Sequence, residues 1–385
     1  VACLKAVASG VQIAVMAPTE LLAEQHYQNF SVWFRPLGIE PARLSGSQSQ
    51  VERRESLEAI ATGNALLIIG THALFQEGVT FKQLALVIID EQHRFGVHQR
   101  MALRKKGERN KKHPHQLVMT ATPIPRTLAM TAYANLDISI IDELPPGRQP
   151  VQTIAIPETR RNEVIERVRS SCKTGQQAYW VCPLIEESNI LEYQAAEASY
   201  KMLTEVLLEL QIGLIHGRMK SAEKDKVMRA FKNGKIQLLV ATTVIEVGVD
   251  VPNASIMIIE NTERMGLSQL HQLRGRVGRG DTASLCIMLY KLPLGKLARS
   301  RLAVLRGTND GFLVAQRDLE LRGPGELLGT RQTGLPQYRI ANLIRDAELI
   351  PKVQLAAESI RRSSSEKGDK IIRRWLGDAG QYGKV

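Results

Sequence analysis

The stretch Leu84-Ala85-Leu86-Val87-Ile88-Ile89-Asp90-Glu91-Gln92-His93 runs from an unbroken apolar segment directly into two acids. An apolar run without polar alternation fits a strand covered on both faces, as in a parallel sheet. Acids at the carboxyl end of such a strand stand where open α/β sheets bind ligands. Asp90 is placed to hold a magnesium ion, usually through water. Glu91 is placed to orient or deprotonate an attacking water. The alternative is a solvated acidic turn that caps a helix. The full set Asp90-Glu91-Gln92-His93 behind its apolar run is more specific than a bare acid pair.

Similar runs recur on both sides. Residues 13–17, 66–69 and 117–119 join 84–89 as one set, and residues 178–181, 212–215, 238–241, 256–259 and 285–290 form another. Amphipathic stretches lie between them at 21–34, 162–172, 195–210 and 222–231. Such alternation predicts parallel, doubly wound α/β sheets, and two sets predict two domains. Leu144-Pro145-Pro146-Gly147-Arg148-Gln149-Pro150 divides them, because its prolines deny both helix and central strand. The expected organisation is a first domain over residues 1–145, a second over 151–295 and a C-terminal region over 296–385. In the last region, 297–305 and 312–321 read as helices, the glycines and prolines of 323–336 as a loop, and the polar run 363–370 as a mobile link. No internal sequence repeat is evident, although the two domains are expected to share an architecture.

Several strand ends carry small hydroxylated residues. Thr19, in Ala17-Pro18-Thr19-Glu20, suits a helix N-cap with backbone amides free to meet a phosphate. Gly70-Thr71-His72-Ala73 and Thr120-Ala121-Thr122-Pro123 repeat the arrangement, and Thr242 does so after Val240. Each alone fits an ordinary turn. As a series, Thr19, Gly70, Thr71, Thr122 and Thr242 form a candidate strip that tracks a sugar-phosphate backbone. Gly248 and Asp250 are candidates for nucleotide or ribose contacts, with a plain strand-to-helix turn as the alternative.

The sharpest motif is Gln272-Leu273-Arg274-Gly275-Arg276-Val277-Gly278-Arg279. Arginine stays charged and forks toward phosphate oxygens, and the interleaved glycines are expected to permit close approach. Arg276 and Arg279 are the candidate phosphate ligands, supplied from one domain to a triphosphate on the other; Gln272 and His271 are expected to add polar contacts. A Gly-x-x-x-x-Gly-Lys-Ser/Thr phosphate loop occurs nowhere in the sequence. Gly234-Lys235, Gly295-Lys296 and Gly383-Lys384 are its Gly-Lys pairs, and none precedes Ser or Thr. Residues 1–8 read as part of a helix that follows such a loop. The chain is therefore expected to begin shortly after the loop, with one strand also lacking from the first sheet.

Composition narrows the partners. The 385 residues are 44% hydrophobic and 23% charged, ordinary values for a soluble globular protein. A formal net charge of +12 favours a polyanion. No apolar run reaches bilayer length and the N-terminus lacks a signal-peptide pattern, so the expected location is cytoplasmic with no membrane partner. Cys3, Cys172, Cys182 and Cys286 form no Cys-x-x-Cys pair, which argues against zinc. Cys182 and Cys286 lie in apolar runs and read as buried small hydrophobes. Disulfides are not expected.

In this order, the motifs at Ala17, Asp90, Thr120, Ala241 and Gln272 resemble the series of the superfamily 2 helicases. Ile89-Asp90-Glu91-Gln92-His93-Arg94-Phe95-Gly96-Val97 and Thr120-Ala121-Thr122-Pro123-Ile124-Pro125-Arg126-Thr127 are similar to the RecG family and its translocase relatives, the Mfd family. Asp310-Gly311-Phe312 and Asp318-Leu319-Glu320-Leu321-Arg322-Gly323-Pro324-Gly325-Glu326-Leu327-Leu328-Gly329 resemble the translocation motif those families share. Thr330-Arg331-Gln332-Thr333-Gly334-Leu335-Pro336 is more similar to RecG. The resemblance implies two tandem RecA-like parallel-sheet helicase domains plus a C-terminal helical hairpin and loop. It implies ATP and Mg2+ as cofactors, and DNA as partner: forks, Holliday junctions and duplex arms, in fork regression, branch migration, recombination and repair. Gln92 or His93 is expected to link nucleotide state to DNA grip. Arg322, Arg331 and Gln332 are candidates for DNA contact or coupling, with anchoring of an irregular loop as the alternative. A monomer in the bacterial cytoplasm, associated with the nucleoid, is expected, with a single-strand binding protein as a candidate partner. The phosphate loop and the family's N-terminal OB-fold wedge are absent, so the chain resembles a C-terminal portion that is inactive as an ATPase alone. An Mfd-like translocase coupled to transcription, or an inactive DNA-binding module, remains the alternative.

Overall fold

The computed structural model describes residues 1–46, 48–92, 95, 103, 105–108, 112–120, 137–145, 148–183, 189–243, 251–280, 282–329, 346–363 and 365–376; at 189–192, 221, 322–329 and a few positions beyond 346, this description covers the backbone alone. Two compact units divide between residues 121 and 122. That lies ahead of the boundary expected at 145–151. The first sheet nevertheless ends with a strand at Val118, and the second begins with one at Gln152. The helices from Lys296 onward group with the second sheet rather than as a third body.

The first sheet holds β1 (Gln12–Met16), β2 (Ala42–Leu44), β3 (Leu67–Gly70), β4 (Leu84–Ile89) and β5 (His115–Val118), in the order β2-β3-β1-β4-β5 and parallel throughout. The second holds β6 (Gln152–Pro157), β7 (Gln177–Val181), β8 (Ile212–Ile215), β9 (Leu238–Ala241), β10 (Ala254–Ile259) and β11 (Leu285–Tyr290), in the order β6-β11-β10-β7-β9-β8, again parallel. Central strands are covered on both faces: Ile13, Ala14, Val15 and Met16 of β1 are at most 1% exposed. Burying each large side chain contributes about 1.5–3 kcal/mol, which makes these strands the anchor of each unit.

The two sheets repeat one plan. β2, β3, β1, β4 and β5 correspond in order to β8, β9, β7, β10 and β11. The correspondence reaches single side chains. Gln12 opens β1, and its buried Nε2 donates to the Ile60 and Ala65 carbonyls at 2.8 and 2.9 Å. Gln177 opens β7, and its Nε2 donates to the Phe231 and Ile236 carbonyls, both at 2.6 Å. In each case an amide ties the central strand to the end of a covering helix, Gln50–Thr62 or Ser221–Lys232. β6 pairs along the whole outer edge of β11. Among the described residues β5 has no such neighbour, and His115, Gln116 and Leu117 on it are exposed.

Several expectations need correction. β2 is too short, and the edge strand β6 too polar at its start, to stand out as apolar runs. Helix Gln50–Thr62 was not anticipated, because Ile60 is its one buried residue. Helix Gly311–Gly329 continues through Gly323-Pro324-Gly325, where a loop was expected. Asp310 starts it by accepting from the Phe312 amide at 2.8 Å, and Val314, Asp318 and Leu319 anchor one buried face. Packing on that face outweighs the local helix cost of Gly and Pro. The run 363–370 is not a mobile link. Its residues 363 and 365–370 belong to the helices Ile350–Ser363 and Ser365–Leu376, supported by the i,i+4 pairs Glu358–Arg362 and Glu366–Lys370.

Candidate active site

Because every strand of the first sheet is parallel, its carboxyl ends form one edge. Backbone bonds hold the residues just beyond that edge in register. The Ala17 amide donates to Gly70, Asp90 to Met16 and Met119 to Ile89, at 2.9, 2.9 and 2.8 Å. Thr19, Thr71, Asp90, Glu91, Gln92 and Thr120 therefore lie along one side of this unit.

Asp90 ends β4 with a side chain 20% exposed. Its Oδ1 accepts from the Glu91 amide at 2.9 Å, and its Oδ2 meets His26 Nε2 at 2.8 Å. Glu91 is 9% exposed and adopts φ = 50°, in the left-handed region a non-glycine residue rarely occupies. The Gln92 amide donates to the Met119 carbonyl at 3.2 Å, which ties the acid turn to the end of β5. Thr19 caps helix Glu20–Phe34, as expected, with its hydroxyl accepting from Leu22 at 3.3 Å. Thr71 is 2% exposed, and its hydroxyl has no hydrogen-bond partner among the described residues. Gly70 has a packing reason of its own: a Cβ there would sit 2.2 Å from the Leu44 carbonyl oxygen.

The second unit has a turn of the same kind. Glu260 follows β10, its amide donates to Val181 at 2.9 Å, and the next residue, Asn261, adopts φ = 48°. This acid is closed off. Arg161 Nη2 lies 2.5 Å from Glu260 Oε1, Trp180 Nε1 donates to that oxygen at 2.7 Å, and the Ser199 hydroxyl donates to Oε2 at 3.4 Å. The Arg161 guanidinium also sits over the Trp180 ring at 5.3 Å. An internal cation thus neutralises the second acid, whereas a histidine meets Asp90.

The arginine motif begins in helix Leu267–Arg274. Arg274 is 3% exposed and acts as an anchor: its Nη1 donates to the Leu305 and Thr308 carbonyls at 2.9 and 2.7 Å, and its Nη2 meets His271 Nδ1 at 2.8 Å. Burial first, then the Arg274 charge, pushes His271 down to about 4. The imidazole is therefore neutral near pH 7 and accepts from Arg274. Gln272 is half-buried, Arg276 is 6% exposed and Arg279 is exposed. Gly278, within the motif, and Gly280, just after it, have fold reasons of their own. Gly278 adopts φ = 76° with Val151 Cγ2 at 2.9 Å from where a Cβ would lie, and Gly280 abuts the Pro252 carbonyl at 2.7 Å.

Thr242, beyond β9, is fully buried; its amide donates to Ile215 at 3.1 Å and its hydroxyl has no partner among the described residues. Arg322 lies in helix Gly311–Gly329, described there by its backbone alone. His93, Thr122, Gly248, Asp250, Arg331 and Gln332 lie outside the described residues. All four cysteines are buried as free thiols, and no group of three or more His, Cys, Asp or Glu with metal-site geometry occurs among the described residues. No helix among them is long and apolar enough to cross a membrane.

Sequence reasoning missed His26 and the Arg161–Glu260–Trp180 cluster. It also missed the exposed Arg218, stacked 4.4 Å over the Tyr193 ring beside His216. A signal existed for His26, which lies two helical turns beyond Thr19 on the same helix.

Comparison with known proteins places these features. Residues 1–131 match the DEAD/DEAH box helicase family, 159–281 the helicase conserved C-terminal domain, and 308–372 the C-terminal part of domain 3 of ATP-dependent DNA helicase RecG. ATP-dependent DNA helicase RecG of Escherichia coli K12 is 63% identical over 382 residues, which cover 99% of this chain and 55% of that protein. The RecG of Haemophilus influenzae is 60% identical over the same length. The chain thus spans about half the length of the curated relatives it matches. A structure of RecG bound to a three-way DNA junction superposes with a TM-score of 0.72 at 44% identity, over 91% of this chain and 45% of that one. Dbp5 of Saccharomyces cerevisiae bound to RNA, at 15% identity and a TM-score of 0.54, shares the fold alone. At such identity over nearly all of its residues, the chain belongs to the RecG family of ATP-dependent DNA helicases.

Proposed function

We propose that this chain is the motor portion of an ATP-dependent helicase that acts on branched DNA, regressing forks and migrating Holliday junctions in recombination and repair. The observation that carries the reading is the Asp90-Glu91 turn. It places a half-buried Asp90 and a buried Glu91, the latter in a left-handed backbone state, at the carboxyl end of a central parallel strand, in a chain 63% identical to a RecG. Asp90 offers the hard carboxylate oxygen that magnesium takes, and it remains partly exposed, so the donor chemistry fits Mg2+. Bound Mg·ATP supplies the phosphoryl group and the charge neutralisation for its transfer. Asp90 would hold the metal, and Glu91 would orient or deprotonate the hydrolytic water. Arg276 and Arg279 are the proposed triphosphate ligands, and Gln272, Gly248 and Asp250 the proposed nucleotide contacts. Gln92 and His93 report nucleotide state to the DNA-facing edge. Thr19, Gly70, Thr71, Thr122 and Thr242 track the phosphodiester backbone, and Arg322, Arg331 and Gln332 couple closure to movement on duplex arms. The buried positions of Thr71 and Thr242 favour contact through the backbone around them rather than through their hydroxyls. A monomer at the bacterial nucleoid, working beside a single-strand binding protein, fits this role.

The match to RecG domain 3 over residues 308–372 favours a branch-migration enzyme over a transcription-coupled translocase. These residues contain no phosphate loop, so the chain alone is expected to bind junction DNA while turning over little ATP. The test compares junction-stimulated ATPase of the chain alone with that of the same chain joined to a loop-bearing segment. The joined form gains turnover, and Glu91→Gln in it lowers kcat by at least about a hundredfold, with nucleotide binding kept. Equal turnover with and without the loop, or full activity of Glu91→Gln, overturns the reading.

A further inference from the structure

We propose that His26 is a positioning residue: it transmits contact with a DNA strand at the Thr19 end of its helix to the Asp90 carboxylate. The inference rests on the proposed DNA motor. It adds a physical link between the DNA-facing edge and the acid pair within one unit.

Helix Glu20–Phe34 starts at the Thr19 cap, and its second turn delivers His26 to Asp90. A single carboxylate then joins two elements. Oδ2 is held by the helix through His26 at 2.8 Å, and Oδ1 holds the Glu91 amide at 2.9 Å. Any displacement of the helix relative to β4 is therefore passed to the left-handed turn that presents Glu91. The helix's own aromatic row fixes the imidazole, with Phe30 centred 6.4 Å from His26 and packed on Trp33 and Phe34. At its first turns, Glu20 accepts from the Gly46 amide at 2.8 Å and Glu24 pairs with Arg43, so the DNA-facing end is tied to β2 and to the loop that follows it.

The second unit shows what the device is not. Glu260, the counterpart of Asp90, receives only a 3.4 Å contact from helix Asn189–Val206, which follows β7 as Glu20–Phe34 follows β1, through Ser199, while Arg161 and Trp180 hold it from elsewhere. An acid needed only to stabilise a turn is saturated by a cation. The acid placed to act is instead held by a neutral-capable donor on the helix whose cap faces the DNA edge.

A purely structural His–Asp pair would hold the turn whether or not DNA is bound. Amide hydrogen exchange separates the two cases without requiring turnover. The 385-residue chain is assayed with and without a synthetic three-way DNA junction, and the Asp90, Glu91 and Gln92 amides are followed. DNA is expected to slow their exchange by about threefold or more in the unmodified chain. In His26→Ala, and in His26→Phe, which keeps the ring packing on Phe30, junction affinity stays within about twofold while this slowing disappears. His26→Gln, whose amide N–H can still reach Oδ2, restores it. Persistence of the slowing in both donor-free variants overturns the proposal, as does DNA binding that leaves these amides unchanged in the unmodified chain. Absence of any junction binding by the unmodified chain overturns the DNA-motor reading along with it.

Discussion

Glu91 and Asn261 share a backbone state that side chains seldom adopt, at the same place in two copies of one architecture. Holding a residue such as Glu91 there costs on the order of 1–3 kcal/mol, and the surrounding sheet must supply it. For Asn261 the cost is small, because asparagine tolerates this region. The difference fits the catalytic role proposed for Glu91. Gly278 meets the same constraint with the residue suited to it. Gly278→Ala forces a Cβ toward Val151 at φ = 76° and is expected to destabilise the second unit by about 1–2 kcal/mol. Urea denaturation followed through Trp180, which lies buried in that unit, measures the loss, and an unchanged midpoint would refute the assignment of this glycine to the fold.

At the level of elements, the Arg274 side chain helps to fasten the arginine helix to helix Lys296–Gly307. Arg274 ties helix Leu267–Arg274 to the end of helix Lys296–Gly307, and His271 completes the joint. The joint has a pH dependence of known sign. His271 titrates near 6.5 when unfolded and at about 4 when folded, so its contribution is fully present above pH 6.5 and is lost as pH falls toward 4. The loss is at most about 3 kcal/mol. His271→Asn, which keeps an acceptor for Arg274 without a titrating ring, is expected to narrow the stability difference between about pH 7 and about pH 4.5. Denaturant melts at both pH values decide it: identical pH slopes for the two proteins would show that His271 is not the sensor. Element boundaries followed the same physics. Uninterrupted apolar strands such as β4, β8, β9 and β11 stand where the sequence places them. The short β2, the polar-edged β6 and helix Gln50–Thr62 did not announce themselves, because each buries too little to leave a periodic pattern.

Across the whole molecule, a net charge of +12 dominates encounters with a polyanion. Junction binding is expected to weaken by at least about tenfold between about 50 and about 200 mM salt, as counterions cease to be released. Fluorescence anisotropy at several salt concentrations reports the slope, and a flat dependence would remove the phosphate backbone as the main contact. The sequence by itself determined the α/β class, the two sets of parallel strands, the acid turn after β4 and the arginine motif, since each is a local pattern of apolar period or charged cluster. It did not show that Arg274 is a buried anchor and Arg279 an exposed cation, because both are one residue type directly beside a glycine. It did not bring His26 to Asp90 across 64 residues, nor reveal that Arg161 closes the second acid. Those outcomes depend on which side chains the sheet order carries to one edge. Only tertiary packing decides that, because burial assigns the same charge to a strut or to solvent according to what folds over it.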